Sequence, residues 1–335
     1  MKIALLGPVA WRTPPRHYGP WEQIASLLAE GLVARGVDVT LFATLDSITT
    51  AKLDGVCAAG YEEDRSVDGR ICEALHVAHA LERSGEFELV HNHLDWLPLA
   101  FSEHCRAPLV TTIHGFSGRK ILPAYLSARR SHFVAISEAD RAAELDYVAT
   151  IHHGIDLAAL KFSPSAGDAL VAFGRIHPDK GTAVAIDIAR RAGRRLVICG
   201  IVQDARYFHE QVEPHLDGDR VRYLGSVGPA QRAEVLGAAA ALLHPIAFPE
   251  PFGLSVVEAM ACGTPVIAYP LGSMPEVIDV GVTGYLPPDL ESAVAAVELA
   301  AALDRRVVRA TAERRFGAER MVDDYLKLYR QLLAR

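Results

Sequence analysis

Short apolar runs alternate with amphipathic stretches from the first residue onward. Lys2 to Leu6 reads as a buried strand, and a long loop over residues 7–19 follows it. Pro20 opens a helix whose apolar positions Ile24, Leu27, Leu28, Leu32 and Val33 recur at three- and four-residue spacing, until Arg35-Gly36 stops it and Val37 to Phe42 begins the next strand. Phe87 to His93 and Pro108 to Gly115 are further strands with polar ends. Phe133 to Asp140 reads as a strand running into a helix, with Ser137 and Asp140 at capping-box spacing. Strands alternating with helices in this way predict an α/β fold with a parallel sheet covered on both faces.

The pattern then starts again. Leu157 to Asp168, with Pro164, Ser165 and Gly167, reads as a short linker, and Ala169 to Arg175, Leu196 to Gly200 and Val221 to Val227 are strand-to-loop units beyond it. Two similar halves joined by a linker predict two Rossmann-like domains facing across a cleft, residues 1–160 and 168–316. The chain closes with two or three helices, the last over Met321 to Leu333 with apolar Val322, Tyr325, Leu326, Leu328 and Tyr329.

Composition narrows the class. A chain of 335 residues is long enough for two cores, and with half its residues hydrophobic and 22% charged it reads as soluble and globular. A net charge of -7 argues against a general nucleic-acid partner, which would need a surplus of Lys and Arg. No run of eighteen apolar residues occurs, and Met1 to Gly7 is too short and lacks a cleavage signal for a secretion peptide, so the expected location is cytoplasmic. Cys57, Cys72, Cys105, Cys199 and Cys262 are scattered and read as reduced core thiols.

Candidate chemistry is densest over residues 244–278. Pro249, Pro251 and Gly253 forbid a regular helix, whereas Leu254 to Ala261 forms one that Gly263 and Pro265 stop, which puts Glu250 on a loop and Glu258 on a helix. The amides of Gly253, Leu254 and Ser255 open that helix without internal acceptors, a ready site for phosphate. Arg175 and Lys180 lie at the end of the first strand of the second half, where two cations would neutralise a diphosphate. In the first half, Trp11, Arg12, Arg16, His17 and Tyr18 crowd one loop that could stack on and hydrogen-bond to a sugar-like acceptor or, as the plainer alternative, is simply packed or solvated.

Other readings are weaker. Gly7 is followed by no glycines at G-x-G-x-x-G spacing, which disfavours a nicotinamide enzyme. His91 and His93 share a strand face, but only Asp95 stands near them and zinc needs three or four ligands, so no metal is expected there. Asp217-Gly218-Asp219 reads as a turn.

The stretch His-Pro-x-x-x-Pro-Glu-Pro-Phe-Gly-Leu-x-x-x-Glu-Ala-Met-Ala-x-Gly-x-Pro-Val-Ile-Ala, residues 244–268, resembles the donor-site signature of the family 4 retaining glycosyltransferases, which have the GT-B fold. Gly174 to Gly181 resembles the same family's Gly-Arg-x-x-x-x-Lys-Gly motif. The resemblance implies that Glu258 binds the ribose hydroxyls of a sugar nucleotide, that Glu250 contacts the donor sugar, and that Arg175 and Lys180 hold the diphosphate. It further implies that Phe252, Gly253, Leu254 and Ser255 line the donor, that the loops after Gly200 and Gly225, with Val227, hold the base, and that a terminal helix over about 317–335 crosses back to the first domain. Gly19 matches the first glycine of the family's Gly-Gly turn, but Pro20 replaces the second and has no N–H to offer. His114 matches a strand-end histidine that approaches the donor sugar, and His153 stands where the family's turn usually has Asn.

The implied reaction moves a hexose, UDP-linked by family frequency, to a hydroxyl of a small-molecule or saccharide acceptor. Configuration is retained, no metal or cofactor takes part, and the leaving phosphate rather than Glu250 takes the acceptor's proton. A lipid-linked acceptor at a membrane surface stays open. A GT-B-like sugar-nucleotide epimerase and a non-catalytic sugar-nucleotide-binding protein are the alternatives.

Overall fold

The computed structural model describes residues 1–115 and 118–334; Arg335, the end of the expected terminal segment, lies outside the described residues. The chain forms two compact α/β units, Met1–Gly154 with the segment from Ala318 onward, and Ile155–Gly317.

The first unit is built on β1 (Lys2–Leu6), β2 (Asp38–Phe42), β3 (Lys52–Asp54), β4 (Leu89–Asn92), β5 (Leu109–Ile113), β6 (Ser131–Ala135) and β7 (Tyr147–Thr150), in the order β3-β2-β1-β4-β5-β6-β7. All pairs are parallel. Every residue of β4 and β5 is buried, as befits central strands covered on both faces. One face carries a core of Leu6, Phe42, Val90, Ile113, Tyr125 and Phe133. The Pro20–Ala34 helix packs against the terminal helix Ala318–Leu333, where a Cβ on Gly31 would fall 2.4 Å from Val322, so a glycine is what lets the two approach. Arg35 clamps the pair by donating to Glu319 at 2.6 Å and Asp323 at 2.7 Å.

The second unit repeats the scheme with β8 (Leu170–Phe173), β9 (Leu196–Cys199), β10 (Val221–Tyr223), β11 (Leu242–His244), β12 (Val266–Ala268) and β13 (Gly284–Tyr285), in the order β10-β9-β8-β11-β12-β13. Loops at the C-terminal ends of β8, β9 and β10 are laced in sequence, Gly174 N–H donating to Cys199 O at 3.0 Å and Gly200 N–H to Gly225 O at 2.9 Å. The order of the sheet reverses between β9-β8 and β11, the place where an open α/β sheet builds its binding crevice.

Two features depart from the sequence reading. The helix expected after Ser137 does not form. Ser137 Oγ accepts the Asp140 N–H at 3.1 Å, but residues 136–146 are turns, and from 138 to 146 only Leu145 is buried, too little apolar surface to hold so short a helix. Residues 155–160 pack with the second unit, not the first: Ile155 N–H donates to Phe316 O at 2.8 Å.

Candidate active site

In the second unit, β8 ends at Phe173 and the chain turns through Gly174 and Arg175 into a short 3-10 turn, Pro178–Lys180. Arg175, Lys180, Thr182 and His244 line one pocket there. The Lys180 ammonium donates to Glu250 Oε2 and lies 4.7 Å from the centroid of the Phe248 ring. His244 Nε2, at the end of β11, reaches the same Glu250 oxygen at 3.2 Å; a carboxylate only accepts, so this nitrogen carries the proton. Burial pushes Glu250 up, but the His244 hydrogen bond and the Lys180 charge outweigh it and hold the carboxyl at about 2. Burial also lowers His244, partly countered by Glu250. Around neutral pH Glu250 is therefore an anion and His244 a neutral donor. Arg175 is half-buried and donates to Gln203.

The Glu250 loop leads into the Leu254–Ala261 helix. Gly253 sits at φ +87°, and a Cβ there would fall 2.7 Å from Met274 Cε, so the turn into the helix requires glycine. The Gly253 carbonyl accepts the N–H groups of Val256 and Val257, and the Leu254 and Ser255 amides precede that first internal acceptor. One turn further, Glu258 accepts from Arg232 at 2.8 Å, and the Arg232 guanidinium lies 5.5 Å from the centroid of the Phe173 ring.

Phe252 is buried edge-on against Phe316, with ring centroids 5.8 Å apart, and Val227 is buried as well. Gly200 is tied in place by its own amide and by its carbonyl, which accepts from Tyr223 Oη at 2.7 Å. Asp217 accepts the amides of Asp219 and Val221 in a local turn, as expected.

The first unit holds the other candidates. The loop from Trp11 to Gly19 is fastened to the protein: Arg12 donates to Pro14 O at 3.1 Å, Arg16 pairs with Glu63 and Asp46, and Trp11 meets Tyr18 edge-on at 6.2 Å. His17 is exposed in the same loop. Gly19 precedes the first helix, and the Trp11 amide donates at 3.2 Å to Glu22 in that helix. Glu22 is buried, which pushes its carboxyl up to about 7 against the pull of its own backbone N–H and that of Trp11.

His114 follows β5 directly and joins a string of buried histidines. Its Nε2 lies 3.0 Å from His93 Nδ1 and its Nδ1 3.2 Å from His153 Nε2; His93 Nε2 is 3.2 Å from His91 Nδ1. Trp21 stacks over His114 at 5.3 Å. Burial drives all four imidazoles below their ordinary value, His93 and His153 to about 3, and neighbouring histidines add to the effect on His91, His114 and His153. Because both ring nitrogens of His114 are engaged, a sugar hydroxyl meets a ring N–H only if one of these bonds opens.

The structure thus groups Arg175, Lys180, Glu250 and the helix start at 253–255 in one unit and leaves His114 and the 11–18 loop in the other. Sequence reasoning missed His244, Arg232 and Glu22. His244 stood in the signature without a role; Arg232 and Glu22 carried no motif, and only their distant partners reveal them.

A profile of the family described as Glycosyl transferases group 1 matches residues 162–315, and one described as Glycosyltransferase Family 4 matches residues 22–159. The D-inositol 3-phosphate glycosyltransferase of Saccharomonospora viridis is 30% identical over 76% of this chain and 72% of its own. The phosphatidyl-myo-inositol mannosyltransferase of Mycobacterium leprae is 25% identical over 98% of this chain and 96% of its own. Among solved structures, a glycosyltransferase involved in avilamycin A biosynthesis superposes with a TM-score of 0.75 at 25% identity, covering 100% of this chain and 98% of that one.

Proposed function

Since the chain belongs to the family 4 glycosyltransferases of GT-B fold, enzymes that use nucleotide sugar donors, we propose that it transfers a hexose from a nucleotide-diphosphate sugar, with a UDP-sugar as the leading donor, to a hydroxyl of a small-molecule or saccharide acceptor. Anomeric configuration is retained and no metal takes part. The names of the Saccharomonospora and Mycobacterium relatives specify inositol acceptors, which supports a polyhydroxylated ring as the acceptor.

The observation that carries this reading is the gathering of Arg175, Lys180 and Glu250 at the end of β8, beside the open amides of a helix start. Lys180 has three donors, so its bond to Glu250 leaves others for a phosphate. Arg175, Lys180 and residues 253–255 then stabilise the charge that develops on the departing diphosphate, the largest contribution in a site of this kind. Both contacts of Glu250 fall on Oε2, which leaves Oε1 to accept from a sugar hydroxyl. A carboxyl held at about 2 stays ionised at working pH, so Glu250 orients the sugar and balances positive charge at the ring; it is no proton donor. The leaving phosphate takes the acceptor's proton. Glu258, oriented by Arg232, accepts from the ribose hydroxyls.

Calorimetry with UDP, GDP, ADP and NAD on the wild type and on Glu258→Ala tests the reading. One sugar-type nucleotide should bind and weaken on substitution; binding of none, or of NAD alone, refutes it.

A further inference from the structure

Residues 55–68 join β3 to the Gly69–Glu82 helix with no strand or helix of their own. A loop of this kind is held only by its contacts, and here they fasten both of its ends. The Leu45 N–H donates to Cys57 O at 2.8 Å, and the amides of Tyr61 and Glu62 donate to Val9 O at 3.3 Å and Ala10 O at 3.0 Å. At the far end Asp68 caps the helix by accepting the amides of Arg70 and Ile71 at 2.9 and 3.2 Å, and Tyr61 Oη donates to Glu73 at 2.9 Å. The loop is thereby folded back onto the helix it leads into.

Two of the five cysteines meet where it does so. Cys57 Sγ donates to the backbone oxygen of Cys72 at 3.6 Å, and Cys72 stands in the first turn of the helix with its own N–H on Asp68 O at 3.0 Å. A disulfide joins Cβ atoms about 3.5–4.5 Å apart, and a sulfur that already touches the main chain of the other cysteine is within that reach. The backbone at each cysteine is hydrogen-bonded in place, so the two thiols are held together before any bond forms. They differ in access: Cys57 is buried and Cys72 only half-buried. Burial, reinforced by the neighbouring Cys72 thiol, pushes Cys57 up to about 12 and keeps it protonated. Cys105, Cys199 and Cys262 are buried.

We propose that Cys57 and Cys72 form a redox modification site, which a peroxide closes into a disulfide that clamps the 55–68 loop to the start of the Gly69–Glu82 helix. The half-buried Cys72 reacts first. Its sulfur attacks one peroxide oxygen, an S–O bond forms as the O–O bond breaks, and the departing oxygen takes the Cys72 proton and leaves as water, so that Cys72 becomes a sulfenic acid. Cys57 then attacks the Cys72 sulfur: the S–S bond forms, the S–O bond breaks, and the departing oxygen takes the Cys57 proton as a second water. Two thiols are oxidised and one peroxide is reduced. The clamped loop carries Glu63, which accepts from the Arg12 N–H at 3.0 Å and pairs with Arg16, so the bridge also fixes the turn to which the 11–18 loop is fastened. None of this depends on the glycosyltransferase reading.

Peptide mapping of the full chain tests the site. The reduced protein is treated with hydrogen peroxide, its remaining thiols are blocked, and it is digested with trypsin without reduction. Cleavage after Lys52, Arg65, Arg70 and Arg83 puts Cys57 in the peptide 53–65 and Cys72 in the peptide 71–83. One species joining these two peptides should appear, a reductant should split it, and the thiol count should fall by two from five. Cys57→Ala should instead leave Cys72 as a sulfenic acid that dimedone captures. In urea melts followed by tryptophan fluorescence, the oxidised wild type should unfold at a higher midpoint than the reduced form, and a reductant should reverse the rise. A count that stays at five, or a bridge that joins other cysteines or two molecules, overturns the site, and the wild-type map decides this even if the variant does not fold. A midpoint that falls or holds level on oxidation overturns the clamp.

Discussion

Mild acid should unfold the first unit selectively. His76, His91, His93, His114 and His153 are all buried there as neutral rings, with His93 and His153 held at about 3 and His76 at about 4. In the unfolded chain each returns to about 6.5, so below that pH the unfolded state binds protons that the folded state refuses. Stability is full above pH 6.5 and falls as pH drops through it, by about 1.4 kcal/mol per histidine at pH 5.5. Glu22 works the other way: held at about 7, it takes up a proton on folding and returns about 1.5 kcal/mol over the same window. Glu250, held at about 2, is ionised in both states there and contributes nothing to the change. The net loss from pH 7 to pH 5.5 is about 5 kcal/mol, a large share of the 5–15 kcal/mol typical of a domain. Trp11, Trp21 and Trp96, the only tryptophans, all lie in the first unit, so urea melts followed by tryptophan fluorescence report it alone. The midpoint should drop sharply at pH 5.5. A midpoint that holds level or rises refutes the reasoning.

Two further outcomes concern the second unit. Lys180→Ala and Arg175→Ala should each lower kcat on the order of 10², but only Lys180→Ala should also lower Tm, because it strips the buried Glu250 of its cation while Arg175 is paired with Gln203 near solvent; an equal Tm loss in both would count against the assigned pairing. Arg305→Ala should cost about 3 kcal/mol or more in a denaturant melt, since the guanidinium donates to Ser163 O, Ala239 O, Gly237 O and Thr264 Oγ1 and its loss leaves those acceptors buried and unmet; a melt like the wild type's would refute it.

Local periodicity carried most of the architecture. The apolar positions Val322, Tyr325, Leu326, Leu328 and Tyr329 marked the last helix and are buried in it. The donor-site motifs were legible because Glu250, Gly253 and Glu258 are close in sequence and their backbone demands are local. The histidine string was not, since beyond the His91–His93 pair its links span 21 and 39 residues and its anchor to Tyr329 spans 238. A tyrosine at an apolar helical position reads as core, and nothing local shows that its hydroxyl meets an imidazole. The segment after Ser137 failed for the opposite reason: its capping pair is local and forms, but the burial that would sustain a helix is a tertiary matter.

The terminal helix has a consequence for synthesis. The second unit is continuous from Ile155 to Gly317, whereas the first needs Tyr325 and Tyr329, which leave the ribosome after all of the second. Domains usually mature in the order in which they are translated. Here the N-terminal sheet must wait, with His91 and Thr112 lacking their phenol partners, while the unit made after it can already be complete, so the order of maturation runs against the direction of translation.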